Sequence, residues 1–160
     1  MIAAMVVAPI LAVIAYFAVD YVVKEKPKVA REGQSYPLVA KSNCRYESGE
    51  CVFINSSFRA NLTVEKTQNS AILVLNTSHP LEGVQVGFAQ AGEDIEKAVP
   101  QSMRANNNSG QQWRFPVDFK VDETTTLAIA MTANGSHYFG QTIMAFSEYK
   151  TLFKEDFRRQ

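Results

Sequence analysis

Few side chains in this sequence could do chemistry: two cysteines, two histidines and five methionines are the candidate nucleophiles and metal ligands. Cys44 and Cys51 flank a six-residue segment with the turn signal Ser48-Gly49 near its midpoint. In a tight β-hairpin the two cysteines would lie opposite each other, close enough to form a disulfide. Because disulfides persist in oxidising compartments, this pairing predicts a location such as the periplasm. The alternative is two free thiols beside a strand turn.

Copper is the metal that the histidines and methionines together would suit. The candidate ligands are His79, His137, Met103, Met131 and Met144. A blue-copper site requires a cysteine close to a histidine and a methionine on one loop, whereas both cysteines here lie far upstream. The strand pattern also places Met131 and Met144 in the core. We therefore predict no cofactor, and keep a periplasmic copper or redox carrier as an alternative function.

The sequence contains no pattern of residues typical of an enzyme. A G-x-S-x-G nucleophile turn is absent, and two histidines leave few candidates for a general base. His79 lies in the segment Thr77-Ser78-His79-Pro80 after an apolar strand, and His137 flanks the Asn134-Gly135 turn. Both are predicted to be exposed turn residues, and we predict that the chain is not an enzyme.

The charge balance excludes nucleic acid as a partner. Lysine plus arginine and aspartate plus glutamate both number 16, so the formal net charge is zero. A chain without an excess of positive charge lacks the field that attracts a phosphate backbone.

A membrane span is predicted at Met1–Val23, because residues 1–19 contain no charged side chain. A helix needs about 20 apolar residues to cross the roughly 30 Å hydrocarbon core of a bilayer. Neither a basic n-region nor an Ala-x-Ala cleavage signal is present, so the segment is predicted to be a retained anchor in the lipid bilayer. Small residues on one face of this helix predict contacts with other membrane helices: Ala4, Ala8, Ala12 and Ala15.

The orientation of the anchor is open to two interpretations. The basic residues that follow the span favour a cytoplasmic domain by the positive-inside rule: Lys24, Lys26, Lys28 and Arg31. The predicted disulfide favours the opposite side. We expect a single-pass protein of the bacterial inner membrane with its domain in the periplasm.

Residues 24–35 are predicted to be a polar linker, and residues 36–146 an all-β domain. In residues 58–65 apolar and polar side chains alternate, as in a half-buried strand, and Ala71–Leu75 is a continuous apolar run typical of a central strand. Pro116 predicts a sheet edge or bulge, and Asn134-Gly135 is the strongest hairpin signal. About seven or eight short strands favour an antiparallel immunoglobulin-like β-sandwich, with a small closed barrel as the alternative.

The last segment, residues 147–160, is predicted to be an amphipathic helix or tail. Tyr149, Phe153 and Phe157 recur every four residues among charged side chains. The aromatic face of this segment would pack on the domain, lie along lipid headgroups or bind a partner.

Five Asn-x-Ser/Thr sequons are present, where chance would give about one. They lie at Asn55, Asn61, Asn76, Asn107 and Asn134. The excess keeps an extracellular, glycosylated adhesion-type module as a second alternative function. Thr-rich strands and Asn-rich turns in a bacterial protein would give the same excess, and we prefer that interpretation.

Two local features accompany this plan of one N-terminal helix and one sandwich: His79-Pro80 after an apolar strand, and Gly110-Gln111-Gln112-Trp113 at the start of an aromatic strand. Together they resemble the FixH family, whose members are bitopic bacterial inner-membrane proteins linked to the assembly of heme-copper oxidases. The Cys44/Cys51 pair is not part of that pattern. The resemblance implies a non-enzymatic accessory or assembly subunit, with other inner-membrane subunits as partners.

Overall fold

The structure is a computed structural model that describes residues 32–67 and 70–150, together with Ala12, Val13 and Ala15. Within these residues the chain forms eleven strands and three short 3₁₀ turns. The strands are β1 (Ser35–Pro37), β2 (Val39–Ala40), β3 (Glu50–Asn55), β4 (Phe58–Lys66), β5 (Ala71–Thr77), β6 (Gly83–Ala89), β7 (Gln101–Ser102), β8 (Arg104–Ala105), β9 (Gln112–Val117), β10 (Thr126–Ala133) and β11 (Ser136–Ile143). The 3₁₀ turns are Ser42–Arg45, Ile95–Lys97 and Met144–Ser147.

The strands form two sheets that enclose one hydrophobic core. The five-stranded sheet has the order β1-β11-β10-β6-β7, and the six-stranded sheet has the order β2-β3-β4-β5-β9-β8. Apart from the parallel pair β1 and β11, the pairings between these strands are antiparallel. An all-β, sandwich-like domain is therefore confirmed.

The chain passes from one sheet to the other at both sides of the sandwich. On one side β1 and β2 belong to different sheets and are joined by Leu38; on the other side β7 and β8 are joined in the same way by Met103. Leu38 and Met103 are both buried in the core cluster. Because these edge strands are only two or three residues long, they leave little open edge for another chain to pair with.

The predicted alternation of apolar and polar residues matches the buried and exposed sides of the strands. In β4, Phe58, Ala60 and Leu62 are buried, and Arg59 between them is exposed. The apolar run in β5 lies between β4 and β9, as expected for a central strand. Pro116 of β9 lies beyond the two residues that pair with β8, so its missing N–H faces no neighbouring strand.

The Asn134-Gly135 turn joins β10 and β11 as predicted. Ala133 and Ser136 pair directly, and Asn134 and Gly135 have φ angles of 48° and 67°. Positive φ at both turn residues is the requirement of a type I′ turn, whose twist matches that of the strands.

The disulfide between Cys44 and Cys51 is confirmed, but the tight hairpin from which it was predicted is wrong. Cys44 lies in the 3₁₀ turn Ser42–Arg45, and Cys51 lies in β3. The antiparallel pairing of β2 with β3 ends where the Lys41 N–H donates to the Val52 carbonyl at 2.9 Å. The chain then forms a wide loop, and the disulfide joins the first part of this loop to the following strand.

The helical spacing predicted from residue 147 does not produce a helix at its start. Glu148 is extended, and Tyr149 forms an isolated antiparallel bridge with Ser48. Backbone hydrogen bonds join Gly49 N–H to Glu148 O at 3.1 Å and Lys150 N–H to Glu47 O at 3.1 Å. Pairing with the disulfide loop therefore replaces helical pairing here, and residues 151–160 lie outside the described part of the chain.

Several predictions concern residues outside the described part of the chain. The span Met1–Val23 lies there except for Ala12, Val13 and Ala15, and so do Ala4, Ala8 and linker residues 24–31. Within the residues that are described, no helix has the length and apolar character needed to cross a membrane.

Candidate functional site

The candidate copper ligands are not gathered into a site. Met103, Met131 and Met144 are buried in the core. His79 is half-buried against the ring of Phe58, and its Nδ1 lies 2.8 Å from Ser78 Oγ. His137 is exposed on the five-stranded sheet, with Nδ1 3.2 Å from Thr132 Oγ1. Among the described residues no group of three or more His, Cys, Asp or Glu side chains could hold a metal ion.

The outer face of the five-stranded sheet carries a concave surface. Its register aligns outward residues of neighbouring strands in rows, one of which runs through Gln85, Ala130, Phe139 and Pro37. The adjacent row runs through Gly87, Ala128 and Gln141. Since alanine occupies the β10 position of both rows and glycine the β6 position of the second, the side chains at the centre of this face are short.

These two rows form the floor of a groove of about 610 Å³ that crosses β6, β10 and β11. The 3₁₀ turn Ile95–Lys97 and the adjacent residues Ala98 and Pro100 form a wall at the β6 end. Pro37 and Phe139 lie at the opposite end. A groove of this volume is within the usual range for ligand sites of roughly 300–1,000 Å³.

The wall is held close to the sheet by small residues and by a cap. A Cβ on Gly87 would lie 3.2 Å from the Cβ of Ala98, so glycine permits this close approach. The Asp94 carboxylate accepts a hydrogen bond from the Glu96 N–H at 3.1 Å, and it forms an ion pair with Lys97 at 3.6 Å. The cap orders the 3₁₀ turn, and the contact of Ala98 with Gly87 places it against the sheet.

Phe139 is the large apolar side chain that the groove exposes, with 48% of its surface accessible. The exposed carboxamides of Gln85 and Gln141 lie on either side of the floor, and neither has a hydrogen-bond partner among the described residues. Glu96 is the one titratable side chain among the lining residues that the structure describes. The groove is thus nearly neutral, with an apolar floor and two free amides.

The inner side of the same sheet is tightly packed beneath the groove. A Cβ on Gly140 would lie 2.8 Å from Phe53 Cε1 and 3.1 Å from Leu38 Cβ. Because Phe53 and Leu38 belong to the core, Gly140 fixes the distance between β11 and the opposite sheet. The floor of the groove therefore rests on a close-packed interior.

The outer face of the six-stranded sheet is built differently. Gln112 donates from Nε2 to Asn76 Oδ1 at 3.1 Å, and Asn106 donates from Nδ2 to Gln112 Oε1. Asn61, opposite Asn76 in the register, donates to Glu50 at 3.3 Å. These amides form one row of the register, called the amide ladder below, in which Asn106, Gln112 and Asn76 bind one another and Asn61 binds Glu50.

Arginine and glutamate pair beside this ladder. Arg114 Nη2 contacts both carboxylate oxygens of Glu65, at 3.0 and 3.1 Å. Within the described part of the chain two buried atoms on this face remain without partners, Asn61 Oδ1 and Arg114 Nε. Most of the polar groups are nevertheless bound to one another.

The five sequon asparagines all have places in the fold that account for them. The ladder contains Asn61 and Asn76, and Asn55 Nδ2 donates to the Pro37 carbonyl at 2.6 Å. Asn107 Oδ1 accepts from Ser109 Oγ at 2.7 Å in an exposed loop, and Asn134 occupies the type I′ turn. Strand pairing and turn formation thus supply a structural reason for each asparagine.

The shifted pKa values belong to groups outside the groove. Hydrogen bonds from Thr124 and then Thr125 lower the pKa of Asp122, at the turn before β10. Burial, with a smaller effect of Tyr36, raises the pKa of Tyr138, whose ring stacks on Phe58 at 4.2 Å. A hydrogen bond and ion pair with Glu47 raise the pKa of Lys150. These shifts report structural contacts.

No motif in the sequence marks the residues that line the groove. The available signal was small side chains at alternate positions of a strand, Ala128 and Ala130 in β10, with Gly87 in β6. Small residues on a face that is not buried in the core leave room for another molecule.

No family model matches this sequence, and no curated protein matches it. Among solved structures, the Br derivative of BhCBM56 is similar with 12% sequence identity and a TM-score of 0.40. The match covers 50% of this chain and 83% of that chain. This likeness is too slight to indicate a shared ligand or activity.

Proposed function

We propose that this chain is a non-enzymatic accessory or assembly subunit of a bacterial inner-membrane complex. Met1–Val23 is its single transmembrane helix, and its immunoglobulin-like sandwich lies in the periplasm. The groove on the five-stranded sheet carries this proposal, because it offers a binding surface with no cluster of reactive groups among its described residues. The resemblance to the FixH family and the Ala-lined face of the span support the same role.

A partner protein is the occupant that best suits the groove. An exposed aromatic ring beside a low apolar floor is typical of the centre of a protein interface, where a few aromatic side chains supply most of the binding energy. The wall formed by the capped 3₁₀ turn supplies a second side of the surface on which a partner would rest. The copper-carrier alternative has less support, because the methionine candidates are buried in the core.

Co-purification of the full-length chain from native membranes in a mild detergent tests this function. We expect a discrete membrane protein to accompany the wild-type chain. Ala130→Lys places a charged side chain on the exposed floor of the groove and should reduce the recovered partner at least tenfold, about 1.4 kcal/mol. Thr63→Lys is the matched control, because Thr63 lies in the middle of the opposite sheet.

Three outcomes would contradict the proposal. One is a wild-type chain that is recovered alone, as a monomer, and another is an Ala130→Lys variant that retains its partner. The third is an equal loss of partner in Ala130→Lys and Thr63→Lys, with both variants showing the thermal unfolding of the wild type.

A further inference from the structure

We infer that the groove binds an extended, uncharged peptide segment of the partner, whose backbone pairs with the carboxamides of Gln85 and Gln141. This inference rests on the proposed function and names the occupant of the same site. The two side chains are exposed, line the groove from opposite sides, and have no hydrogen-bond partner among the described residues.

The hydrogen-bonding groups of the two carboxamides favour a bound peptide with an extended backbone. A carboxamide presents an acceptor oxygen and donor hydrogens side by side, which match the N–H and C=O of an extended main chain. In a helix these backbone groups are already bound to one another, so a docked helix would leave both carboxamides without a backbone partner. An extended segment, in contrast, brings free backbone groups into the groove.

The span of the groove sets the length of the segment. From β6 through β10 and β11 to β1 there are three strand intervals, about 14 Å at the usual spacing of roughly 4.8 Å. An extended chain advances about 3.3 Å per residue, so about four residues fit between the wall and Pro37. The volume of about 610 Å³ is sufficient for four small or medium residues.

The floor and the charge of the groove set the composition of the segment. Ala128 and Ala130 rise little above the sheet, so the peptide backbone can lie close to it. Phe139 supplies an apolar contact for one side chain of the segment. Because Glu96 is the one titratable lining residue described, acidic residues would gain no counter-ion and would lose hydration.

Synthetic peptides test this inference on the full-length chain in detergent. The probes are two pools of N-acetylated, C-amidated octapeptides, one built from Ala, Val, Leu, Ser, Thr and Gln, the other with Asp at alternate positions. We expect the immobilised chain to retain members of the uncharged pool and none of the acidic pool. N-methylation of the central backbone amides of a retained peptide should weaken its binding at least tenfold.

Protein variants supply the second arm of the experiment. The double variant Gln85→Ala/Gln141→Ala should weaken a retained peptide at least tenfold. Gln101→Ala, which removes an exposed carboxamide of the same sheet outside the groove lining, should leave its affinity unchanged. Since all three glutamines are exposed, the variants are expected to fold, and the N-methylated peptides test backbone pairing in the unaltered chain.

The outcomes separate this inference from the function on which it rests. If no peptide is retained, or N-methylation has no effect, while Ala130→Lys still removes the partner, the extended segment is wrong and the accessory role stands. Retention only of peptides that become helical when bound would overturn the inference too. If Ala130→Lys leaves the partner bound, the proposed function itself fails.

Discussion

On the outer face of the six-stranded sheet most of the polar side chains bind one another, whereas on the outer face of the five-stranded sheet they border a groove. Gln112 is held between Asn76 and Asn106 on the first face. Gln85 and Gln141 have no such partners among the described residues on the second. The same residue type therefore has two different roles in one small domain.

The reason for this difference lies in the neighbours across the strands. Gln112 has an asparagine beside it in the next strand, so two carboxamides meet at a distance suited to a hydrogen bond. Gln85 lies between Ala130 and the short side chain of Ser102, and Gln141 lies opposite Ala128. Small neighbours leave an amide available to another molecule, and a polar face is a binding candidate only where its groups are not already paired.

The largest expected effect concerns the inner side of the five-stranded sheet. Gly140→Val should reduce the free energy of unfolding by about 3 kcal/mol, because its Cβ would lie 2.8 Å from the ring of Phe53. Gly83→Val is the control on the same sheet, since nothing lies within 4 Å of a Cβ there. Urea denaturation compares them; equal losses would show that the two sides of this sheet do not differ in packing.

Removal of the disulfide is expected to act on the six-stranded sheet and to leave the groove intact. Cys44→Ala/Cys51→Ala opens a link with a sequence separation of 7, which should reduce the free energy of unfolding by about 2–3 kcal/mol. The measurement is the urea midpoint, together with partner recovery well below that midpoint. A loss of partner binding in the folded double variant would show that the two faces are coupled.

The contrast between the amides predicts a smaller difference in stability. Gln112→Ala removes two hydrogen bonds of the ladder and should cost about 1 kcal/mol, whereas Gln85→Ala should stay within about 0.5 kcal/mol of the wild type. Gln85→Ala should reduce partner binding more than Gln112→Ala does. Thermal unfolding and co-purification of both variants measure the two effects, and equal stabilities would remove the distinction between the faces.

The smallest effect expected is a pH dependence at the turn that precedes β10, the central strand of the groove. Hydrogen bonds from Thr124 and Thr125 lower the folded-state pKa of Asp122, so the unfolded chain binds its proton at higher pH. Its contribution to stability is present above about pH 4 and lost as pH falls through the folded-state value. Asp122→Asn should therefore lose stability less steeply than the wild type as the pH falls below about 4. Urea titrations at a series of acidic pH values measure this; an equal pH dependence of the free energy of unfolding in the two proteins would contradict it.

The two-sheet fold was predictable because the longer strands carry their own signals. The strands β1, β2, β7 and β8 are only two or three residues long and carry none, so the described part of the chain has eleven strands where seven or eight were expected. Alternation located β4, the apolar run located β5, and Asn134-Gly135 located the β10–β11 turn. The disulfide partners were predictable because only two cysteines exist, but the 3₁₀ turn around Cys44 was not. That turn follows Lys41, whose N–H pairs with Val52 eleven residues further along the chain, and this pairing leaves no local pattern.

The groove could not be predicted because it depends on register. Alternation shows that Gln85, Ala130 and Phe139 point outward, and it does not show that they lie in one row. The wall over Gly87 depends on the contact with Ala98, eleven residues further along the chain, and no periodicity encodes that contact. The candidate site residues that the sequence offered were therefore histidines and methionines, and none of the groove residues.

The central claim, that the five-stranded face binds a partner, is tested most directly by photo-crosslinking in native membranes. p-Benzoylphenylalanine replaces Phe139 in one variant of the full-length chain and Tyr46, an aromatic residue exposed at 67% away from the groove lining, in another. If this face binds a partner, we expect one discrete protein adduct from position 139 and none of that mass from position 46. The same adduct at equal yield from both positions, or no protein adduct from position 139, would contradict it.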